Sequence, residues 1–484
     1  MLPDTVTPGC EENTRKMSFW MKWNRTSPEL QMQSESKLLN RLKSRLHAGF
    51  VSIFGGKSYI RTLVARGFSS GAAAEKRIPI VLMHGFASGL GLWCKNIDSL
   101  AAYRPVYAFD LLGFGRSSRP DFPTDSTEAE VLFVDSFEEW RAAMGLSKFI
   151  LVGHSLGGYI STSYAIRHPE KIAHLILVDP WGFLEIPLSE ELKAKHNNSP
   201  WLLRAYRNLL SGGNPLTILR AIGPLGRSLI HRVRQDLRVM FDQRSLISGE
   251  FIEIPSVEVE ESAQQGYLAR HLIDSDTNDD DGYCCYHPLN GDGASSNTTV
   301  DVSDFDGTAA LDYIYHMNVQ RPSGETGFKA LCTMIGWAER PMLDRIHLLD
   351  RNVPITFIFG SRSWLDMSSG TKTRARRPDS YVDIKIIDGA GHQVYAHAAE
   401  EFNQYVNTVG KRVDAGDLFR PSDYQNTPND TDSLIRTNEN RLSKRRSVGS
   451  SNYLAQAALL PDEHNPSTSE NILDEEVETN DVPE

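Results

Sequence analysis

The 484-residue chain is longer than one ordinary domain, carries a formal net charge of −11 and is 40% apolar, which is ample for a sizeable core. No apolar run approaches the roughly 18–20 residues that span a bilayer, and the N-terminus lacks the hydrophobic centre of a signal peptide. The five cysteines (Cys10, Cys94, Cys284, Cys285 and Cys332) are odd in number and unpatterned for zinc, so a reducing, cytoplasmic setting is expected and a structural metal is not.

The charge is unevenly placed. Between Arg15 and Arg45 there are eight basic residues against two glutamates, together with Phe19, Trp20 and Trp23 and then Leu38, Leu39, Leu42 and Leu46 at helical spacing. Such a segment can lay rings and leucines into a lipid surface while its cations attract anionic headgroups. Residues 1–60 are therefore expected to associate peripherally with a membrane, with Trp20 and Trp23 as its anchors.

Ile78 to Met83 reads as a buried strand running into His84-Gly85-Phe86. Val106 to Asp110 reads as another, followed by Leu111-Leu112-Gly113-Phe114-Gly115-Arg116-Ser117-Ser118. That loop lacks the third glycine of a dinucleotide site at the right spacing and is taken as a tight connecting loop. The run Phe149-Ile150-Leu151-Val152 leads into Gly153-His154-Ser155-Leu156-Gly157, and a helix-like stretch follows from Tyr159 to His168. A G-x-S-x-G set between strand and helix is a nucleophile elbow, whose strained serine and crowded flanks call for Gly153 and Gly157. Ser155 is the candidate nucleophile. The backbone N–H groups of Leu156 and Phe86 are the candidate oxyanion donors, and His84 is expected to shape its loop.

Residues 181–337 are expected to form a helical cap over a core made of 61–180 and 338–410. Within the cap, His271 to Gln320 holds ten aspartates and neither lysine nor arginine, so about 271–310 is expected to be a disordered acidic insertion. Ile355 to Phe359 ends at Gly360 and leads to Asp366, the candidate acid. Val382 to Ile387 leads to Gly389-Ala390-Gly391-His392, and His392 is the candidate base. Serine, aspartate and histidine thus each follow a predicted strand, where loops on one edge of a sheet can bring a nucleophile, an orienting acid and a base together. Residues 411–484 are rich in Ser, Asn, Asp and Glu and are expected to be a disordered tail.

The segments HGFASGLGLW, FDLLGFGRSSRP, LVGHSLGGY, HLILVDPWGF, YIYHMNVQRPSGET, GWAERPML and PITFIFGSRSWLD resemble one α/β-hydrolase subfamily over about residues 17–65, 78–255 and 310–410. Its members are the lysophospholipase of N-acyl phosphatidylethanolamines and a lipid-droplet co-activator of adipose triglyceride lipase. The resemblance implies an α/β-hydrolase fold, an eight-stranded, mostly parallel sheet with helices on both faces and a helical cap. It also implies action on acyl esters of phospholipids or lysophospholipids, no cofactor, and a membrane or lipid-droplet surface as partner, with a triglyceride lipase or droplet coat protein as a further one. The co-activator has asparagine at the elbow, so Ser155 leans toward the hydrolase branch.

Some members are described as lysophosphatidic acid acyltransferases through a histidine followed five positions later by aspartate. Here that position is His397, which weakens the transferase reading. The pairs His174 with Asp179, His231 with Asp236 and His271 with Asp276 match the spacing, and no chemistry is assigned to them.

Overall fold

Short apolar runs form the strands of one eight-stranded sheet in a computed structural model that describes residues 21–67, 76–184, 214–242, 307–334, 337–424 and Asn438. Trp20, residues 271–306 of the acidic insertion, and the tail beyond 424 apart from Asn438 lie outside the described residues. The sheet order is β1 (Arg45–Ile53), β2 (Ser58–Arg66), β4 (Val106–Phe109), β3 (Ile80–Met83), β5 (Phe149–His154), β6 (Ile172–Val178), β9 (Ile355–Gly360) and β10 (Val382–Ile387). β1 and β2 pair antiparallel, as do β2 and β4, and every other pairing in this sheet is parallel. Two short strands, β7 (Cys332–Met334) and β8 (Trp337–Ala338), pair separately.

Parallel strands joined by crossover helices are covered on both faces, and their sequences are apolar without alternation for that reason. All four residues of β3 and all six of β5 are buried. Successive side chains serve opposite layers. Val81, Met83, Phe109 and Leu151 face α2 (Ser126–Ala143) and α3 (Leu156–Arg167), where Phe133, Phe137 and Trp140 pack. Ile80, Leu82, Ile150 and Val152 join the other layer, with Trp93 and with Phe402 and Val406 of α9 (Ala399–Asp414). The Asp125 carboxylate caps α2 by accepting from the N–H groups of Thr127 and Glu128, each at 2.9 Å.

Register sets the position of the site. Met83 pairs with both Phe109 and Gly153, and Val178 pairs with both His154 and Ile358. The strands therefore end level, and the loops that follow them emerge on one edge, where open parallel sheets place ligands. Within residues 181–337, the stretch expected to form the cap, the described helices include α4 (Gly226–Val233), α5 (Gln235–Phe241), α6 (Thr308–Asn318) and α7 (Gly324–Ala330). α8 (Ser368–Arg376) links β9 to β10.

The N-terminal segment differs from expectation. The sheet starts at Arg45, inside the stretch assigned to a lipid-associating arm, and Leu46 belongs to β1. Leu38 and Leu39 close α1 (Pro28–Leu39) and are fully buried. A helix that packs on a protein core shows the same leucine spacing as one that packs on lipid, and only the tertiary partner tells them apart. That partner includes a buried ion pair. Glu35 Oε1 accepts from Arg61 at 2.5 Å and from Arg116 at 2.8 Å. Removing either side of such a pair would strand a charge in the interior.

Trp23 belongs to both settings. It is 43% exposed, and its indole N–H donates to the Ala221 carbonyl at 3.3 Å on the cap. Gly223, at φ +54°, lies under the same ring, where any Cβ would overlap the indole. Because Leu38 is core, Leu38→Ala should lower the unfolding free energy by about 2–5 kcal/mol in urea denaturation and leave sedimentation with liposomes unchanged.

Candidate active site

Ser155 sits at φ +54°, ψ −117°, between β5 and α3. A side chain there is strained, and the surrounding backbone holds the turn in place. The Ser155 N–H donates to Val178 O at 3.1 Å, while its carbonyl accepts from Gly158, Tyr159 and Trp181 at 3.0, 3.3 and 3.1 Å. The flanking glycines have no room for a side chain. A Cβ on Gly157 would lie 2.5 Å from the carbonyl oxygens of Met83 and His84, and one on Gly153 would lie 2.5 Å from that of Gly157. Ser155 itself is buried.

The backbone N–H groups of Phe86 and Leu156 donate no hydrogen bond among the described residues. Phe86 follows β3, its ring stacked on Phe328 of α7 with centroids 4.4 Å apart. The next carbonyl, of Ala87, accepts from Asn318 Nδ2 at 2.9 Å. Within the segment Tyr313 to Thr326, Asn318 thus braces this loop, and the Tyr313 hydroxyl accepts from the Gly91 N–H at 3.0 Å. His84 donates from Nδ1 to the Gly85 carbonyl at 2.8 Å and accepts the Leu111 N–H on Nε2 at 2.9 Å. Both ring nitrogens are therefore committed to backbone, and burial brings its pKa down to about 4.

The loop after β4 is organised by Asp110. Its carboxylate accepts from the N–H groups of Leu90 and Arg116, each at 2.8 Å, and a Cβ on Gly115 would overlap it. Burial first, then the nearby Glu35, push its pKa up to about 7. Both loop glycines have positive φ, Gly115 against this carboxylate and Gly113 against the backbone of Gly324.

His392 follows β10, and its Nδ1 donates to Asp179 Oδ2 at 2.5 Å. Asp179 therefore stands where Asp366 was expected. It is fully buried at the end of β6, at φ +42°, and its N–H donates to Ile358 O at 2.9 Å. The Ser363 hydroxyl also donates to Asp179 Oδ2. Asp366 lies in the loop after β9, accepts the Ser368 N–H at 2.9 Å ahead of α8, and lines an apolar cleft with Trp337, Phe183, Trp364 and Leu365. Both aspartates follow neighbouring strands, and the loop path after β9 turns Ser363, rather than Asp366, toward the imidazole side. The sequence signal for Asp179 was a buried strand ending in Asp-Pro one strand earlier than the expected acid.

Further contacts frame His392. Its carbonyl accepts from His154 Nε2 at 3.0 Å, and the Trp364 ring lies 5.0 Å from the imidazole, centroid to centroid. The Gly391 N–H donates to His397 Nδ1 at 3.3 Å, so His397 braces the loop. Of the other spaced pairs, His174 bonds Thr356 at 2.8 Å rather than Asp179. His231 pairs with Asp312 at 2.8 Å, while Asp236 is held by Arg234. Among the described residues no group of side chains is arranged to hold a metal ion, and no helix is long and apolar enough to cross a membrane.

Residues 78–211 match the family model for the alpha/beta hydrolase fold. The (lyso)-N-acylphosphatidylethanolamine lipase of Mus musculus is 39% identical over 380 residues, covering 78% of this chain and 91% of the relative. The 1-acylglycerol-3-phosphate O-acyltransferase ABHD5 of Homo sapiens is 41% identical over 340 residues, covering 70% and 79% respectively. Among solved structures, a bacterial membrane phospholipase A aligns at 20% identity with a TM-score of 0.44, over 79% of this chain and 89% of that one. With its mostly parallel sheet, its strand-ending loops on one edge and relatives near 40% identity over most of its length, the chain belongs to the α/β-hydrolase superfamily, in the group that holds these lipase and acyltransferase relatives.

Proposed function

We propose that this protein is a serine hydrolase that cleaves acyl esters of phospholipids or lysophospholipids, with Ser155 as nucleophile, His392 as base and Asp179 as the carboxylate that orients it. The observation that carries the reading is the 2.5 Å hydrogen bond from His392 Nδ1 to buried Asp179, beside a serine on a strained turn. Ser155 Oγ attacks the ester carbonyl while His392 Nε2 takes its proton, and the Phe86 and Leu156 N–H groups receive the developing oxyanion. Collapse breaks the bond to the alcohol, which leaves with that proton. Water, deprotonated by the same imidazole, then releases the fatty acid and restores Ser155. Asp179 keeps the proton of the neutral ring on Nδ1 and stabilises the imidazolium.

The lipid substrate class rests on the relatives, whose names carry an N-acylphosphatidylethanolamine and a 1-acylglycerol-3-phosphate. If a lysolipid alcohol replaces water in the second step, the same acyl-enzyme gives acyl transfer. Peripheral contact with lipid would run through Trp20 and Trp23. Trp23 is 43% exposed on the cap, and nearby Leu225 is 69% exposed.

Ser155→Ala should cut turnover roughly 10⁴-fold and abolish fluorophosphonate labelling, because nucleophile and base act as a unit. Wild-type protein that takes no label and hydrolyses no ester, yet binds lipid and stimulates a separate lipase, would identify a non-catalytic scaffold instead. Asp179→Asn should lower kcat by about 10³–10⁴-fold through the wrong imidazole tautomer, whereas Asp366→Asn should cost less than about 10-fold. The reverse ranking in a soluble-ester assay would return the acid role to Asp366.

Replacing Trp20 and Trp23 together with alanine should release the protein from liposomes. Half-burying each ring contributes on the order of 2 kcal/mol at about 25 cal/mol per Å². Hydrolysis of a soluble ester should persist, and unchanged sedimentation would remove the anchor from the reading.

A further inference from the structure

We propose that Asn438, carried by the chain beyond the hydrolase core, is a positioning residue for the Asp179–His392 pair; the proposal rests on the reading of that pair as catalytic. Asn438 is 1% exposed, although the surrounding sequence is polar. Its Nδ2 donates to the Ser363 carbonyl at 3.2 Å. Ser363 is fully buried, its hydroxyl donating to Asp179 Oδ2 and accepting the Leu365 N–H at 3.1 Å. The Ser363 carbonyl belongs to the peptide that leads into Trp364, whose ring lies against His392. One amide thus fixes the peptide plane from which both neighbours of the pair depart: the hydroxyl on the carboxylate and the indole on the imidazole. Burying an amide side chain is costly, and the hydrogen bond that Asn438 makes goes from Nδ2 to the loop that holds Asp179, while its buried Oδ1 has no partner among the described residues.

The test uses the full chain with Asn438→Ala and Asn438→Asp. The second keeps the side-chain size and replaces the donor with an acceptor facing a carbonyl. A hydrogen bond of this kind is typically worth about one factor of ten or less, so kcat and the rate of fluorophosphonate labelling should fall about 3- to 10-fold with KM unchanged. Asn438→Asp should lose at least as much as Asn438→Ala. Hydrogen exchange at the Ser363 and Leu365 amides should quicken in both variants. Labelling and exchange equal to wild type in either variant, or a loss confined to KM, overturn the proposal. Absence of label on the wild-type protein would count against the serine-hydrolase reading alone, because amide exchange still reports whether Asn438 holds the loop.

Discussion

Everything at the site depends on holding Ser155 in a backbone conformation that a serine does not choose. A non-glycine residue at positive φ costs on the order of 1–3 kcal/mol, so the turn persists only where its surroundings over-determine it. Here the Ser155 N–H is fixed to the end of β6, and its carbonyl is fixed to α3 and to Trp181. The close packing of Gly157 on the carbonyls that end β3 leaves no room for the turn to relax. The hydrogen bond from the Ser155 N–H to Val178 O also ties the turn to the end of β6, where Asp179 is the next residue. Ser155 and Asp179 are thus linked through one peptide at the end of β6, before any side chain is considered.

That linkage explains what could be read from the sequence. The elbow was legible because its glycines respond to close contacts that are local in the chain. His392 was legible because a glycine-flanked histidine follows the last apolar run. The carboxylate that pairs with His392 was not, because two strands, β6 and β9, each lead to an aspartate, and both satisfy the order Ser, Asp, His. Ser363 faces Asp179 and leaves Asp366 to cap the start of α8, a difference in loop path that leaves no mark in residue types. The N-terminal leucines failed for a related reason. Their spacing specified an apolar stripe, but Arg61 and Arg116, which reveal Glu35 to be interior, lie 26 and 81 positions away.

The segment Tyr313 to Thr326 shows how a stretch can be distinctive without touching the reacting atoms. Its Asn318 holds the Ala87 carbonyl, and Glu325 accepts the Leu216 N–H at 2.5 Å and pairs with Arg220 at 2.8 Å. Burial raises the pKa of Glu325, so the Arg220 guanidinium beside it matters for keeping the carboxylate charged. Cap and core are therefore joined by directional bonds at the loop that carries Phe86. A backbone N–H holds its direction only when its loop is fixed, and the Asn318 bond fixes the loop of Phe86 without placing a side chain in the pocket.

Three imidazoles gather near the elbow, and their surroundings separate their roles. His84 is tied at both nitrogens to backbone and is held neutral by burial, with a pKa of about 4. His154 is held well below the ordinary range by burial and by the neighbouring His392, and its Nε2–H is spent on the His392 carbonyl. Neither faces a carboxylate, so a proton arriving on either would be placed in the interior without a counter-charge. Of the three, His392 has Asp179 against Nδ1, and a proton gained on its far nitrogen would leave a cation already paired. The two neutral rings thus do structural work, orienting the Phe86 loop and the His392 backbone, and they add no positive charge beside the His392 imidazole.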